Sequence, residues 1–172
     1  MPVREALIRL AQEDFLEMIP HVGAKVTKCS EKKLKEIHQI RIELEGAATR
    51  LLAQVITESD MKKLSALIDE GKDYLGYDRL QEYFAWNQRF HYTIAEMNPN
   101  RTLEEYIKSI WSRMHLVTGD GGVTSWRSEQ SYAEHILWVD ALRLRDPAEA
   151  ERACRRHCSV AAESNLASFP AY

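Results

Sequence analysis

Apolar residues recur at intervals of three and four along most of this chain, which is the periodicity of an amphipathic α-helix. From Ser30 onward the pattern predicts six helices, at about 30–56, 58–75, 78–97, 101–118, 125–144 and 147–167. Short polar segments separate them, among them Asn98-Pro99-Asn100 and Gly119-Asp120-Gly121-Gly122. Helices of this length with short connections favour an antiparallel six-helix bundle, so we expect an all-α fold.

The first 29 residues have a different pattern. Pro2 suits the first turn of a short helix that runs to about Gln12. Two apolar stretches, 15–19 and 24–27, then flank the turn residues 20–23, which predicts a β-hairpin. We therefore divide the chain into a small N-terminal unit, 1–29, and a helical domain, 30–172.

Composition narrows the class of protein. The chain has 23 basic and 26 acidic residues and a formal net charge of −3, whereas free-standing nucleic-acid binders carry a basic excess, so any DNA contact must be local. The three cysteines, Cys29, Cys154 and Cys158, have no framework spacing, which fits a reducing cytosol. Neither a signal peptide nor an apolar run of about 20 residues is apparent, so we expect a cytoplasmic protein without a membrane span.

Four polar residues interrupt the apolar stripes of three predicted helices. Asn87 and His91 lie one turn apart on the third helix, while His135 and His157 lie on the inward stripes of the fifth and sixth. An unsatisfied buried polar group costs roughly 1–3 kcal/mol, and one divalent cation would satisfy all four. Imidazole suits zinc, nickel or copper, so zinc is the first expectation, with nickel or manganese as other candidates. The alternative is a structural or dimerisation bundle with hydrogen-bonded core histidines and no metal.

Other residues carry weaker signals. Arg41 interrupts the stripe of the first long helix, where it either pairs with Glu45 four residues on or binds an anion. Arg113 is a second candidate for an anion, and Trp111 beside it is expected to be core. The spacing Cys154-x-x-His157-Cys158 suggests a different soft-metal site, although no further soft ligands complete it. We expect His21, His38 and His115 to be turn or surface residues.

Taken together, these segments resemble the GntR superfamily of bacterial transcription regulators, in the branch whose effector domain is called FCD. The residues from Pro2 to Leu10 and the segment Pro20-His21-Val22-Gly23-Ala24-Lys25-Val26 are similar to the recognition helix and wing of a winged helix-turn-helix. Arg41-Ile42-Glu43-Leu44-Glu45 looks like the first effector-domain helix, and Asn87-Gln88-Arg89-Phe90-His91 resembles the D/N-x-x-F-H motif of that domain. Glu134-His135, Arg145-Asp146-Pro147 and then His157 resemble its C-terminal pattern.

The resemblance implies a function as well as a fold. Asn87, His91, His135 and His157 would hold the metal, whose open positions would receive a small organic carboxylate, with Arg41 and Arg113 as assisting cations. Family members are dimers whose affinity for operator DNA changes when effector binds, and six helices fit the shorter, VanR-like version. Asn87 departs from the frequent Asp and leaves the site more positive, which favours an anionic effector.

The N-terminal unit carries the second departure. It matches only the recognition helix and wing of a winged helix-turn-helix, so we expect this chain by itself to bind operator DNA poorly. In a complete regulator, Arg4 would face the major groove and His21, at the wing tip, the minor groove. An enzyme is the competing interpretation, because three histidines on zinc with an open position also describe a hydrolase. No obvious carboxylate base flanks the metal, which leaves Glu45 and Glu134 as candidates.

Overall fold

In a computed structural model of the chain, the structure describes residues 2–12, 16–26, 30–118 and 125–169. A short helix and a two-stranded antiparallel hairpin precede the bundle: α1 Pro2–Gln12, β1 Leu16–Ile19 and β2 Gly23–Val26. The bundle helices are α2 Glu31–Val55, α3 Glu58–Gly71, α4 Leu80–Glu96, α5 Arg101–Thr118, α6 Ser125–Arg143 and α7 Pro147–Ala167. The predicted fold class, a helical bundle preceded by a short helix and hairpin, is confirmed.

The connection between α3 and α4 differs from the prediction. The second bundle helix was expected to reach residue 75, but it ends at Gly71 and is followed by short 3-10 turns at Lys72–Tyr74 and Tyr77–Arg79. Gly76 lies between these turns with φ of 125°, a conformation that side chains disfavour. The helix therefore cannot continue through this glycine, and α4 begins at Leu80 rather than at 78.

Side-chain caps fix where several helices begin. Ser30 accepts a hydrogen bond from the backbone N–H of Lys33 at 3.1 Å. Thr57 and Asp60 form the predicted capping box at the start of α3. Asp146 accepts hydrogen bonds from two backbone N–H groups of α7, and Pro147 occupies its first turn. These caps therefore determine the residues at which α2, α3 and α7 begin.

Helix α2 packs against α4, α5, α6 and α7, and is therefore the central element of the bundle. Its buried stripe runs through the charged side chains of Arg41 and Glu45 and on to Leu52 and Ile56. The spacing of apolar residues in the sequence predicts a stripe that ends at Val55, but this prediction is wrong, because Val55 is 52% exposed.

Aromatic side chains from α4 and α6 form the core beneath the polar stripe. Trp86, Phe90 and Trp138 are almost fully buried, and Nε1 of Trp86 donates to the carbonyl oxygen of Leu67 at 2.7 Å. The end of α3 lies directly on this indole: a Cβ added to Gly71 would come within 2.3 Å of the Trp86 ring. This contact fixes α4, and with it the direction of His91.

The hairpin pairs Leu16 with Val26 and Ile19 with Gly23. His21 lies exposed at its tip with φ of 62°, as the turn prediction required. The outer ends of the predicted strands, Phe15 and Thr27, and the loop 119–122 lie outside the described residues. Helix α1 contacts β1 and has no buried residue. Among the described helices, none has both the length and the apolar character needed to cross a membrane.

Candidate metal centre

Three histidines from three helices meet inside the bundle. Nε2 of His91 in α4 lies 3.3 Å from Nε2 of His135 in α6 and 3.2 Å from Nε2 of His157 in α7. All three side chains are at most 2% exposed. The sequence therefore predicted correctly that these residues face inward, and the structure brings them together at a single point.

Two carboxylates determine which nitrogens point at each other. Glu45 contacts Nδ1 of His91, and Glu134 lies 2.8 Å from Nδ1 of His157. A carboxylate only accepts, so both Nδ1 atoms carry the hydrogen and donate it. Both Nε2 atoms then present lone pairs, and these face each other across 3.2 Å. A cation held between the nitrogens would be attracted by both lone pairs.

Burial keeps the triad neutral. It lowers the pKa of each of the three imidazoles below the ordinary value, and for His135 and His157 the neighbouring histidines add to the effect. Glu45 differs: burial would raise the pKa of its carboxyl, but the Arg41 guanidinium and His91 hold that pKa well below its usual range. The centre thus presents unprotonated nitrogens backed by an ionised carboxylate, the form that binds metals.

The donor set fits a divalent metal. Zinc–nitrogen bonds of about 2.0–2.1 Å in tetrahedral geometry place ligand nitrogens about 3.3 Å apart, close to the observed separations. The amide of Asn87 would offer a further oxygen, because its Oδ1 is buried and has no hydrogen-bond partner among the described residues. Carboxylates on the outer nitrogens of metal-bound histidines are the usual supporting groups at such sites. The residues present therefore suit the metal that their pattern suggested.

A cavity of about 40 Å³ adjoins the triad. Its polar lining consists of the side chains Arg41, Asn87, Arg127, Ser131, His157 and Asn165. Aromatic walls face them, among them Phe84 and Trp111. A small polar ligand in this cavity would reach both the guanidinium groups and the metal-facing edge of His157.

Arg41 forms the predicted pair with Glu45 and also lines the cavity. Its Nε donates to Glu45 at 2.6 Å, and its guanidinium stacks 4.4 Å from the centroid of the Trp111 ring. The same group lines the cavity and places Nη2 3.2 Å from Nε2 of His91. Trp111 is core, as expected, and its Nε1 also donates to Glu45 at 2.9 Å. Arg41 is thus both an ion-pair partner and a wall of the cavity.

The chain is similar to a known protein family and to several of its members. A family model described as "FCD domain" matches residues 36–159, which include α4, α5, α6 and the whole triad. The chain belongs to the FCD family of GntR-type transcription regulators. Its relatives include the transcriptional repressor RspR of Escherichia coli, 26% identical over 163 residues that cover 95% of this chain and 72% of that protein. The gluconate operon repressor of Bacillus subtilis is 29% identical over 157 residues, covering 86% of this chain and 62% of that protein.

Solved structures agree with this assignment. E. coli McbR/YncC aligns with a TM-score of 0.76 and 25% identity, covering 96% of this chain and 82% of that one. A Streptococcus agalactiae GntR protein aligns with a TM-score of 0.67 over 94% of this chain and 80% of that one, and at 19% identity it supports the fold alone. These relatives are transcription regulators and not enzymes, so the hydrolase interpretation has no support among them.

The two arginines that were predicted to bind an anion, Arg41 and Arg113, differ in their position relative to the cavity. Arg41 lines the cavity, whereas Arg113 is not among the described residues that do, and its neighbour Met114 takes that place. Arg127, near the start of α6, was not predicted from the sequence. Its side chain is 4% exposed, lines the cavity and donates to Glu134 at 3.0 Å. The periodicity of α6 contained the signal, since Arg127, Ser131 and His135 follow each other at intervals of four.

Two further expectations change with the structure. Cys154 and Cys158 are free thiols that cluster with Glu45 rather than with His157, and burial raises the pKa of Cys154, so this thiol is in its protonated form. His38 is not a surface residue: it is 2% exposed, and burial lowers its pKa to about 4. The stripe of α2 contains His38 beside Ile37, while His21 is exposed as expected. The side chain of His115 lies outside the described residues.

Proposed function

We propose that this chain is the sensory part of a GntR-type regulator, in which a divalent metal held by Asn87, His91, His135 and His157 receives a small organic carboxylate. The observation that carries the proposal is the meeting of three buried imidazoles, in which Nε2 of His91 lies 3.3 Å from that of His135 and 3.2 Å from that of His157. The metal would supply an electrophilic, positively charged anchor for carboxylate oxygen atoms. Zinc is the first candidate, with nickel and manganese next.

The chain's own residues would orient the bound anion. Glu45 and Glu134 fix the imidazole rings through Nδ1, so the metal-facing edges stay in place when ligand enters. The polar side chains of the cavity wall would contact the carboxylate, and Arg41 beside them would add positive charge. Because residues of α2, α4, α5, α6 and α7 line the cavity, a ligand there would contact most of the bundle. Binding would thereby change how the helices pack, which is the signal that a regulator needs.

The N-terminal unit is proposed to contact operator DNA. Arg4 is exposed on α1 and His21 is exposed at the hairpin tip, so both are accessible. In a complete regulator, Arg4 would contact the major groove and His21 the minor groove. We take the boundary between this unit, 1–29, and the sensory domain, 30–172, to lie just before the Ser30 cap. By similarity to the family, we expect a cytoplasmic homodimer.

Calorimetry tests the proposal. Chelator-treated protein should bind about one zinc ion per chain, and His135→Ala should remove this binding while retaining the helical spectrum. Zinc-loaded protein should then be stabilised by one or more carboxylates of a small-acid library, and the chelated protein should not. Binding of acids that is equally strong in zinc-loaded and chelated protein would overturn the metal-dependent part of the proposal. His21→Ala serves as a histidine control that should bind zinc normally.

A further inference from the structure

The charges around the cavity form two balanced pairs. Arg41 is paired with Glu45 at 2.6 Å, and Arg127 is paired with Glu134 at 3.0 Å. Imidazoles bind a metal as neutral ligands, and Asn87 contributes no charge. Among the described residues, the groups that surround the cavity therefore sum to zero before the metal binds. A divalent metal would add two positive charges, and none of these groups would neutralise them.

A buried charge without a partner is unfavourable, so the metal-bound site favours a ligand whose negative charge neutralises the metal ion. With aspartate at position 87 the excess would be one positive charge, which a monocarboxylate neutralises. With asparagine the excess is two. The residue at position 87 thus changes the preferred charge of the effector, not only the strength of metal binding.

Arg127 offers an anchor for a second anionic group. It is 4% exposed, and while Nη2 donates to Glu134, its Nη1 is buried with no hydrogen-bond partner among the described residues. Arg41, by contrast, is occupied on every nitrogen, by Glu45, Met114 and His91. Leaving a buried charged donor unpaired is costly, and Arg127 lines the same cavity as the triad. A carboxylate at Nη1 would satisfy it.

We infer that the effector is a short dianion, a dicarboxylate held by the metal at one end and by Nη1 of Arg127 at the other. This inference rests on the proposed metal-dependent function. The cavity beside the triad is small, about 40 Å³, which favours an acid with a short carbon skeleton. Arg127 therefore selects for the second carboxylate, and Asn87 selects for the total charge.

The test compares succinate with butyrate, which has the same number of carbon atoms and one carboxylate fewer. Both are titrated into zinc-loaded protein by calorimetry, and metal content is measured before and after each titration to show that neither acid removes the zinc. Wild type should bind succinate at least tenfold more tightly than butyrate. Arg127→Gln should weaken succinate roughly tenfold to hundredfold and butyrate much less, so that the preference for succinate falls, because a charge-assisted hydrogen bond to the second carboxylate is lost.

Asn87→Asp provides an independent variant that leaves Arg127 intact. It should bind zinc at least as well as wild type and shift the preference toward butyrate. Equal affinity for the two acids in zinc-loaded wild type, or an unchanged preference in both variants, would overturn the inference while the metal site stands. Failure of the wild type to bind zinc would instead overturn the proposed function, and this inference with it.

Discussion

The carboxylate of Glu45 holds Nδ1 of His91 and thereby turns the opposite nitrogen of that ring toward His157. The same carboxylate accepts hydrogen bonds from Arg41 and Trp111, so it is fixed from three directions. One acidic residue in the middle of α2 consequently links the bundle core, the cavity wall and the triad. The proposed metal site depends on this link as much as on the ligands themselves.

Replacement of Glu45 by Gln should weaken zinc binding by about tenfold to a hundredfold, the usual effect of removing the carboxylate behind a metal-bound histidine. The reason is that a neutral amide no longer favours the required His91 tautomer. Competition with a chromophoric chelator measures the affinity, at a temperature where circular dichroism shows both proteins folded. Glu43→Gln is the matched control, because Glu43 lies on the same helix but forms only an exposed pair with Arg155. Equal zinc affinity in wild type and Glu45→Gln would contradict this role.

Metal removal should destabilise the fold. A ligand present at 1,000 times its dissociation constant stabilises the native state by about 4 kcal/mol, and for a chain of this size each kcal/mol shifts Tm by about 2–4 °C. Chelation should therefore lower Tm by roughly 8–16 °C, and added zinc should restore it. The comparison is made by calorimetric scans on wild type and His157→Ala. A Tm that does not respond to chelator in wild type would count against metal binding.

Gly71 and Gly46 should respond differently to replacement by alanine. A Cβ at Gly71 would meet the rigid Trp86 ring, so Gly71→Ala should lower the free energy of unfolding by about 1–3 kcal/mol. At Gly46 the added Cβ would meet the Arg155 side chain, whose pairs with Glu43 and Glu151 are part-exposed and contribute little. Helix propensity then offsets the loss, and Gly46→Ala should be nearly neutral. Urea unfolding measures the free energy of unfolding of both variants. Equal losses in the two variants would contradict the close contact between Gly71 and the Trp86 ring.

Stability should fall on mild acidification, partly because of His38. Its pKa is about 4 in the folded protein against 6.5 ordinarily, so the unfolded chain binds the extra proton between these values. Stability from this residue is present above pH 6.5 and is lost as pH falls toward 4. At about 1.4 kcal/mol per pH unit of pKa difference, the loss between pH 7.5 and 4.5 is on the order of 2–3 kcal/mol.

Urea unfolding of wild type and His38→Gln across this range, with chelator present, measures the contribution. The variant should lose less stability on acidification, although the depressed pKa values of the triad leave it a residual dependence in the same direction. His21→Gln removes an exposed imidazole and should follow the wild-type curve. Identical pH dependence in wild type and His38→Gln would contradict the assignment of His38 as a buried neutral residue.

The fold and the inward histidines could be predicted from sequence because both follow from helical periodicity. Capping residues such as Thr57 and Asp146 marked the helix starts, and the intervals around His91 and His157 placed these residues on buried faces. The end of α3 could not be obtained in the same way, since it depends on the conformation of Gly76 and on the fit of Gly71 against Trp86. Those are tertiary contacts that local pattern does not contain.

Charged residues on the inner faces were harder to assign. Arg127, Glu45 and Glu134 lie on positions that periodicity makes inward, yet a charge is normally taken as a sign of solvent exposure. Their burial is possible only because each has a partner from another helix or another turn. Arg113 was predicted to bind an anion but does not line the cavity, whereas Arg127 does.

The central claim is that the three histidines hold a metal ion. Elemental mass spectrometry of protein purified without chelator, for wild type and His91→Ala side by side, tests it most directly. We expect about one divalent metal ion per chain in the wild type and little metal in His91→Ala. Absence of metal from a folded wild type that also fails to take up added zinc, nickel or manganese would contradict it, and would leave the triad as a set of core histidines.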